Sequence, residues 1–171
     1  MTGARPYNVI ITGVGGQGNV LAARLLGSAA LNQDVGRWFD SMGMKPNGKV
    51  HAILAASTEL VCGILMALGF LTPLAAAGYV SLMIVAGWTV HRANGYRSGI
   101  DGWEYNSVLA TFAVYVAATS PGAHSIDHAL ELDFAFKPYT AFAIAVVVGV
   151  AGAVGLLAAC YRPPAKDEAK G

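Results

Sequence analysis

The chain has 171 residues, 55% hydrophobic and only 12% charged, with a formal net charge of +1; an ordinary soluble domain carries roughly 25% charged residues. So much apolar surface excludes a disordered chain and exceeds what one small soluble core can hide. A near-neutral chain without a basic stripe is not a nucleic-acid binder, and two cysteines do not make a disulfide scaffold, which leaves a small integral membrane protein whose first partner is the lipid bilayer.

In chain order, residues 1–36 form a segment that is not an independent domain. At its centre, YNVIITGVGGQGNVLAARLLGSAAL starts like a buried strand, meets a glycine turn, and continues as a helix from Gln17 or Asn19 to about Leu31. Gly13, Gly15 and Gly18 fit G-x-G-x-x-G, a pattern that lets backbone approach a diphosphate at a helix N-terminus. A dinucleotide fold also needs a second parallel strand and an acid about 20 positions on. Asp34 is available, but no strand follows, so no nucleotide is expected to bind. The run Asn8-Val9-Ile10-Ile11-Thr12-Gly13-Val14-Gly15-Gly16-Gln17-Gly18 resembles the opening of the gamma-type domain of 2-oxoacid:ferredoxin oxidoreductases of the indolepyruvate type. That resemblance covers residues 7–31 and stops before such a domain could fold, so the activity is not carried over. A secretory leader is not expected, because no basic region precedes a clean apolar run and cleavage site. Arg24 makes full insertion costly, by about 2.5–3.5 kcal/mol at mid-membrane, so the segment is expected on the surface or partly inserted.

Four apolar runs follow, at residues 50–70, 74–90, 105–120 and 139–160, with Glu59 their single formal charge. A spanning helix needs about 20 apolar residues. The first and last runs reach that length; the middle two are short. A membrane strand would alternate in polarity, and these runs do not. The expected fold is therefore an all-α integral membrane bundle of four spanning helices, with the N-terminal segment placed outside that count. Thr72, a good N-cap, and Pro73, suited to a first helical turn, make the first connection a tight hairpin. Polar loops, HRANGYRSGIDGWE and a stretch containing SPGAHSIDH, form the others. Arg37, Lys45, Lys49, Arg92, Arg97, Arg162, Lys166 and Lys170 fall on one face, and Lys137 alone on the other. The positive-inside rule then predicts a multi-pass protein of the plasma (inner) membrane with a cytoplasmic C-terminus.

Glu59 lies nine residues into its helix, about 14 Å deep and near the middle of a ~30 Å core. It is read either as a proton-handling group or as a hydrogen-bonded link between helices, bound to Ser57, Thr58 or a carbonyl. Ala55, Cys62, Gly63 and Met66 share its face by helical spacing. His91 and Glu104 close and open adjacent helices on one side, where the loop can bring them together. Both also suit helix ends by charge alone. Trp88, Trp103 and Tyr105 nearby form either an interfacial aromatic belt or a pocket for a flat ring such as a quinone. His51 is expected at the interface. His124 and His128 with Asp127 are too few for zinc, so no metal is expected, and Ser125 and Asp127 are expected to cap a short turn. Cys62 and Cys160 lie too far apart in depth to pair.

From Arg37 on, several stretches match in order and spacing a family of small membrane proteins. They are Glu59-Leu60 with Gly63, the Gly69-Phe70-Leu71-Thr72-Pro73 hairpin, Glu104-Tyr105, and Pro121-Gly122 with Ser125-Ile126-Asp127. On these the chain resembles the DoxX family over residues 37–130, with residues 131–171 as an added helix and polar tail. The resemblance implies a four-helix bundle, whose first helix should precede Arg37, and a link to membrane redox chemistry. The family includes a subunit of a thiosulfate:quinone oxidoreductase. The chain has no haem-ligand pair, flavin fold, iron–sulfur motif or nucleophile constellation. The resemblance therefore implies an accessory membrane subunit associated with quinone-linked redox or oxidative-stress chemistry. Such a subunit works with other membrane or soluble redox subunits and carries no covalent cofactor, with quinone as its candidate ligand. The alternative is a non-catalytic scaffold anchoring soluble enzymes. A solute carrier is disfavoured by four short helices without an internal repeat.

Overall fold

The computed structural model describes residues 33–119, 122–132 and 136–163. Over these the chain is helical, with no strand beyond one isolated bridge between Met44 and Tyr161. The expected N-terminal strand, glycine turn and helix lie outside the described residues.

Helix α1, Gln33–Ser41, is too short and polar to be announced by hydropathy. It folds back on the start of α2, Gly48–Leu68. Gly36 is buried beside Lys49, and Asp40 Oδ1 accepts from the Gly48 amide at 2.7 Å. The Asn47 side chain accepts from the Lys49 amide at 2.9 Å. Two of the four amides that any helix start leaves open are met in this way. Helix α2 ends on Gly69, whose φ of 59° suits a residue without Cβ.

Helix α3, Thr72–Asn94, is α-helical over Thr72–Ala86, then a π turn over Gly87–His91 and a 3-10 turn over Arg92–Asn94. Pro73 lies in its first turn as expected, but Thr72 is not the cap. Leu71 holds that place with a left-handed φ of 48°, and the cap comes from far along the chain. Asp127, only 1% exposed, accepts from the Leu71 amide at 2.7 Å, the Thr72 amide at 3.0 Å and the Thr72 hydroxyl at 2.8 Å. Its own amide donates to the Gly69 carbonyl at 2.8 Å. The reason is steric: a hairpin this tight forces Leu71 into a conformation costing roughly 1–2 kcal/mol, and leaves no local side chain placed to meet the first amides.

Helix α4 covers Glu104–Thr119 and α5 the single turn Ile126–Ala129. As expected, Ser125 caps that turn, accepting from the His128 amide at 3.1 Å. Helix α6, Pro138–Cys160, includes a π turn over Ile144–Val148. Three of these, Gly48–Leu68, Thr72–Asn94 and Pro138–Cys160, are long and apolar enough to cross a membrane. The expected fourth span is a helix, but its 16 residues reach only about 24 Å against a core of ~30 Å, so its spanning is not confirmed. The run of residues 105–120 is itself this short.

Helix α3 lies at the centre, packed against α2, α4 and α6. Small residues set each contact. A Cβ on Gly78 would meet Cys62 Sγ at 2.6 Å, and one on Gly149 would meet Val80 at 2.8 Å. Ala76 packs with Ala113 and Ala117 of α4 and Ala145 of α6. Among the described residues ten of the fifteen buried hydrophobic ones are alanine, while Leu54, Val61, Phe112, Val147 and Val154 point outward. Small inside and large outside is the reverse of a soluble domain and matches helices that associate in lipid by close approach.

The bundle has two distinct ends. At one, the α2–α3 hairpin meets the loop carrying Asp127. At the other, residues 43–45 pair with residues 160–162: the Lys45 amide donates to the Cys160 carbonyl and the Arg162 amide to the Gly43 carbonyl, each at 2.8 Å. His51, expected at the interface, is instead buried at 5% exposure. Its Nε2 lies 2.8 Å from the Lys45 carbonyl, because the paired loop folds over it.

Candidate functional site

At the end away from the hairpin, the α3 π turn and the first turn of α4 enclose a cavity of about 540 Å³. Trp88, Arg92, Trp103 and Asn106 line it. Gly87 faces Trp103 and Asn106 here: a Cβ on it would stand in ordinary contact, 3.7 Å from Trp103 Cβ and 3.8 Å from Asn106 Cβ. The two indoles are half-exposed, at 46% and 42%, so the cavity opens outward. Trp103 is steadied edge-on by Tyr96 at 4.8 Å between ring centres. The Arg92 guanidinium lies 4.0 Å above the Trp88 ring, a cation–π contact. Asn106 is buried, and its amide donates to Met83 Sδ at 3.8 Å. Thus Trp88 and Trp103 are brought together, while Tyr105 points away, 64% exposed and outside the lining.

His91 and Glu104 do not form a pair with each other. His91 Nδ1 lies 2.7 Å from the Asp101 carbonyl. Glu104 accepts from the Ser98 amide and the Ser98 hydroxyl, both at 2.9 Å, and these bonds hold its carboxyl below the usual carboxylate range. The physical reason is that the 92–103 loop turns back on itself, with Trp103 and Glu104 amides donating to Gly95 and Tyr96 carbonyls at 3.1 and 2.8 Å. Each side chain pins one part of that loop. Together they fix where Trp103 stands.

Glu59 lines a second cavity of about 250 Å³ between α1, α2 and α3, with Trp38, Met83 and Thr89 on its walls. It is half-buried, and among the described residues no hydrogen bond holds its carboxyl; neither Ser57 nor Thr58 reaches it. Met83 lines both cavities, so the Glu59 cavity and the aromatic site share a wall. Cys62 and Cys160 are both free thiols. Among the described residues no three His, Cys, Asp or Glu side chains gather as a metal site.

Three residues of this architecture were missed by sequence reasoning. Asn106 is a polar residue just inside an apolar run. Arg92 directly follows His91 on a helix end lined by Trp88. Asp127 was expected only as a local turn cap. The first two carried a visible signal, a polar or charged group one helical turn from an aromatic; Asp127's distant partner did not.

Chemically, the aromatic cavity offers two ring faces, one amide and one cation. That set can hold a flat, partly polar ring. It contains no paired nucleophile and base. Neither a curated protein nor a solved structure matches the chain. Residues 20–92 match the DoxX family model, a stretch that begins before Arg37, takes in α1, α2 and the hairpin, and ends on the cavity's arginine. Over residues 20–92 the chain is thus similar to the DoxX family, and three of its helices are long and apolar enough to cross a membrane.

Proposed function

We propose that the protein is an accessory membrane subunit for quinone-linked redox or oxidative-stress chemistry, and that the Trp88–Trp103 cavity holds the quinone ring. The observation that carries this reading is the aromatic cavity itself: about 540 Å³, within the ordinary range of roughly 300–1,000 Å³ for small-ligand sites. Two indole faces suit a planar ring, and the Asn106 amide suits a ring carbonyl. In this reading Glu59, which lines the neighbouring cavity that shares Met83, exchanges protons with the site. Electrons come from and go to partner redox subunits, membrane or soluble. The basic end, with Arg37, Lys49, Arg92 and Arg97, faces the cytoplasm of a bacterial-type inner membrane, and the C-terminus follows it there.

The test is purification in mild detergent with identification of co-purifying lipid-soluble quinone and protein subunits. Quinone should accompany the wild type and be lost from Trp88→Ala/Trp103→Ala. Glu59→Gln should keep the quinone and the fold while reducing quinone-linked turnover of the complex by at least about tenfold, within the usual range of general acid–base contributions. Quinone retained at wild-type level by the double tryptophan variant would overturn the ring site. A soluble enzyme co-purifying with no quinone at all would favour a scaffold.

A further inference from the structure

The cavity has an asymmetry that a site for a neutral ring does not require. Arg92 is the one charged residue in its lining. Its guanidinium lies on the Trp88 face, and among the described residues no carboxylate pairs with it. Glu59, Asp101 and Glu104 are all absent from the lining, and Glu104 is bonded to Ser98. A guanidinium stacked on an indole keeps its edge N–H donors free, and those donors suit an anionic oxygen on a ring seated beside Trp88. A neutral quinone uses none of that charge.

We infer that the cavity is selective for the anionic form of its ring ligand, an ionised hydroxyquinone or quinol oxygen held by Arg92. This rests on the quinone reading of the cavity and adds a charge preference to it. A hydrogen bond to a charged oxygen is stronger than one to a neutral oxygen, so a preference of about tenfold is expected. The consequence is directional. A site that holds the deprotonated ring oxygen favours the reduced or hydroxylated member of a quinone pair once its proton has left, and leaves proton delivery to another group.

The experiment uses the full chain in nanodiscs of zwitterionic phosphatidylcholine, so that no anionic headgroup competes. Two probes are titrated: 2-hydroxy-1,4-naphthoquinone, ionised at neutral pH, and its neutral methyl ether. Saturable tryptophan quenching reads binding in a Trp38→Phe background, which leaves Trp88 and Trp103 as the reporters. The anionic probe should bind about tenfold more tightly. Arg92→Gln should bring the two probes within about twofold of each other, and Arg92→Lys should keep part of the preference. Lys45→Gln, which removes a cation from the same end of the bundle but outside the cavity, should leave it unchanged. Equal binding of both probes by the wild type overturns the inference and leaves the quinone reading standing. So does a preference that survives Arg92→Gln, or one lost equally in Lys45→Gln, which would assign it to the general surface potential. Saturable binding of neither probe overturns the quinone reading, and this inference with it.

Discussion

The two ends of helix α3 are built on opposite principles. At Thr72 the chain is closed: a carboxyl 1% exposed meets two amides and a hydroxyl, and the neighbouring backbone is held in a left-handed turn. At Gly87–Asn94 the helix loosens into a π turn and a 3-10 turn beside a cavity with half-exposed walls. A buried polar group must be fully satisfied or it is costly, so the hairpin end tolerates little change. Irregular helical turns are frequent at functional sites, and at the other end the bonds that shape the cavity, from Ser98 to Glu104 and from His91 to Asp101, are exposed to solvent. The fold anchors itself at one end and leaves room for a ligand at the other.

The strongest way to break this comparison is Asp127→Ala. It strands three donors at the buried end, each worth roughly 1–3 kcal/mol when left unmade. A loss of at least about 3 kcal/mol is expected in reversible denaturant unfolding in mixed micelles, with Asp127→Asn losing less. A change below about 1 kcal/mol would show that the clamp is incidental.

Next in size is the middle of the helix. Gly149→Leu forces side-chain atoms against Val80, where even a Cβ would stand at 2.8 Å, and should cost about 2 kcal/mol by overpacking. Gly155→Leu on the same helix meets nothing within 4 Å and should stay within about 0.5 kcal/mol of wild type. Equal effects in the same unfolding assay would mean that α6 does not pack on α3 as described.

At the open end, Trp103→Ala removes a ring that is 42% exposed. It should cost about 1 kcal/mol or less in stability, below the 3–5 kcal/mol typical of a fully buried aromatic, while abolishing saturable naphthoquinone quenching of Trp88. A large loss of stability would make the indole a structural wall and not part of a ligand site.

Smallest is the response to pH. Glu104 is held below the ordinary glutamate value of 4.5 by its Ser98 bonds. A depressed folded value means the carboxyl's ordering of the loop is complete above the ordinary value and is lost as pH falls through the lower, folded one. Trp103 fluorescence should therefore be flat above about pH 5 and change only below 4.5. Glu104→Gln should remove that step. A step at higher pH would show that a group other than Glu104 orders the loop.

Much of this was legible in the residues. The apolar runs located every long helix, with bounds within two residues except at the end of α3, which runs four residues past 90 to Asn94, because a backbone in lipid must satisfy its own hydrogen bonds and long uncharged runs are therefore hard to misread. The glycine and proline of the hairpin gave its position. What stayed hidden depended on contacts between distant segments. Asp127 and Thr72 lie 55 residues apart, and nothing near either names the other. Helix α1 is a polar piece that earns its shape by folding on α2. His51 is buried only because the 43–45 loop is tied down by residues 160–162. At the candidate site, residue types pointed to the tryptophans, but which aromatics face inward depended on the phase of α4. That phase turns Trp103 and Asn106 in and Tyr105 out.

The pairing of residues 43–45 with 160–162 has a consequence for biosynthesis. The two strips leave the ribosome more than a hundred residues apart, and the second exists only after the last long helix has been made. Until then the Gly43 carbonyl and the Lys45 amide have no such partner, and the loop over His51 has no fastening. Insertion of α2 and α3 therefore yields an unfinished form, and arrival of the final helix closes the ring of segments in one late step. A chain terminated before Cys160 should insert its earlier helices and then be recognised by membrane quality control as incomplete.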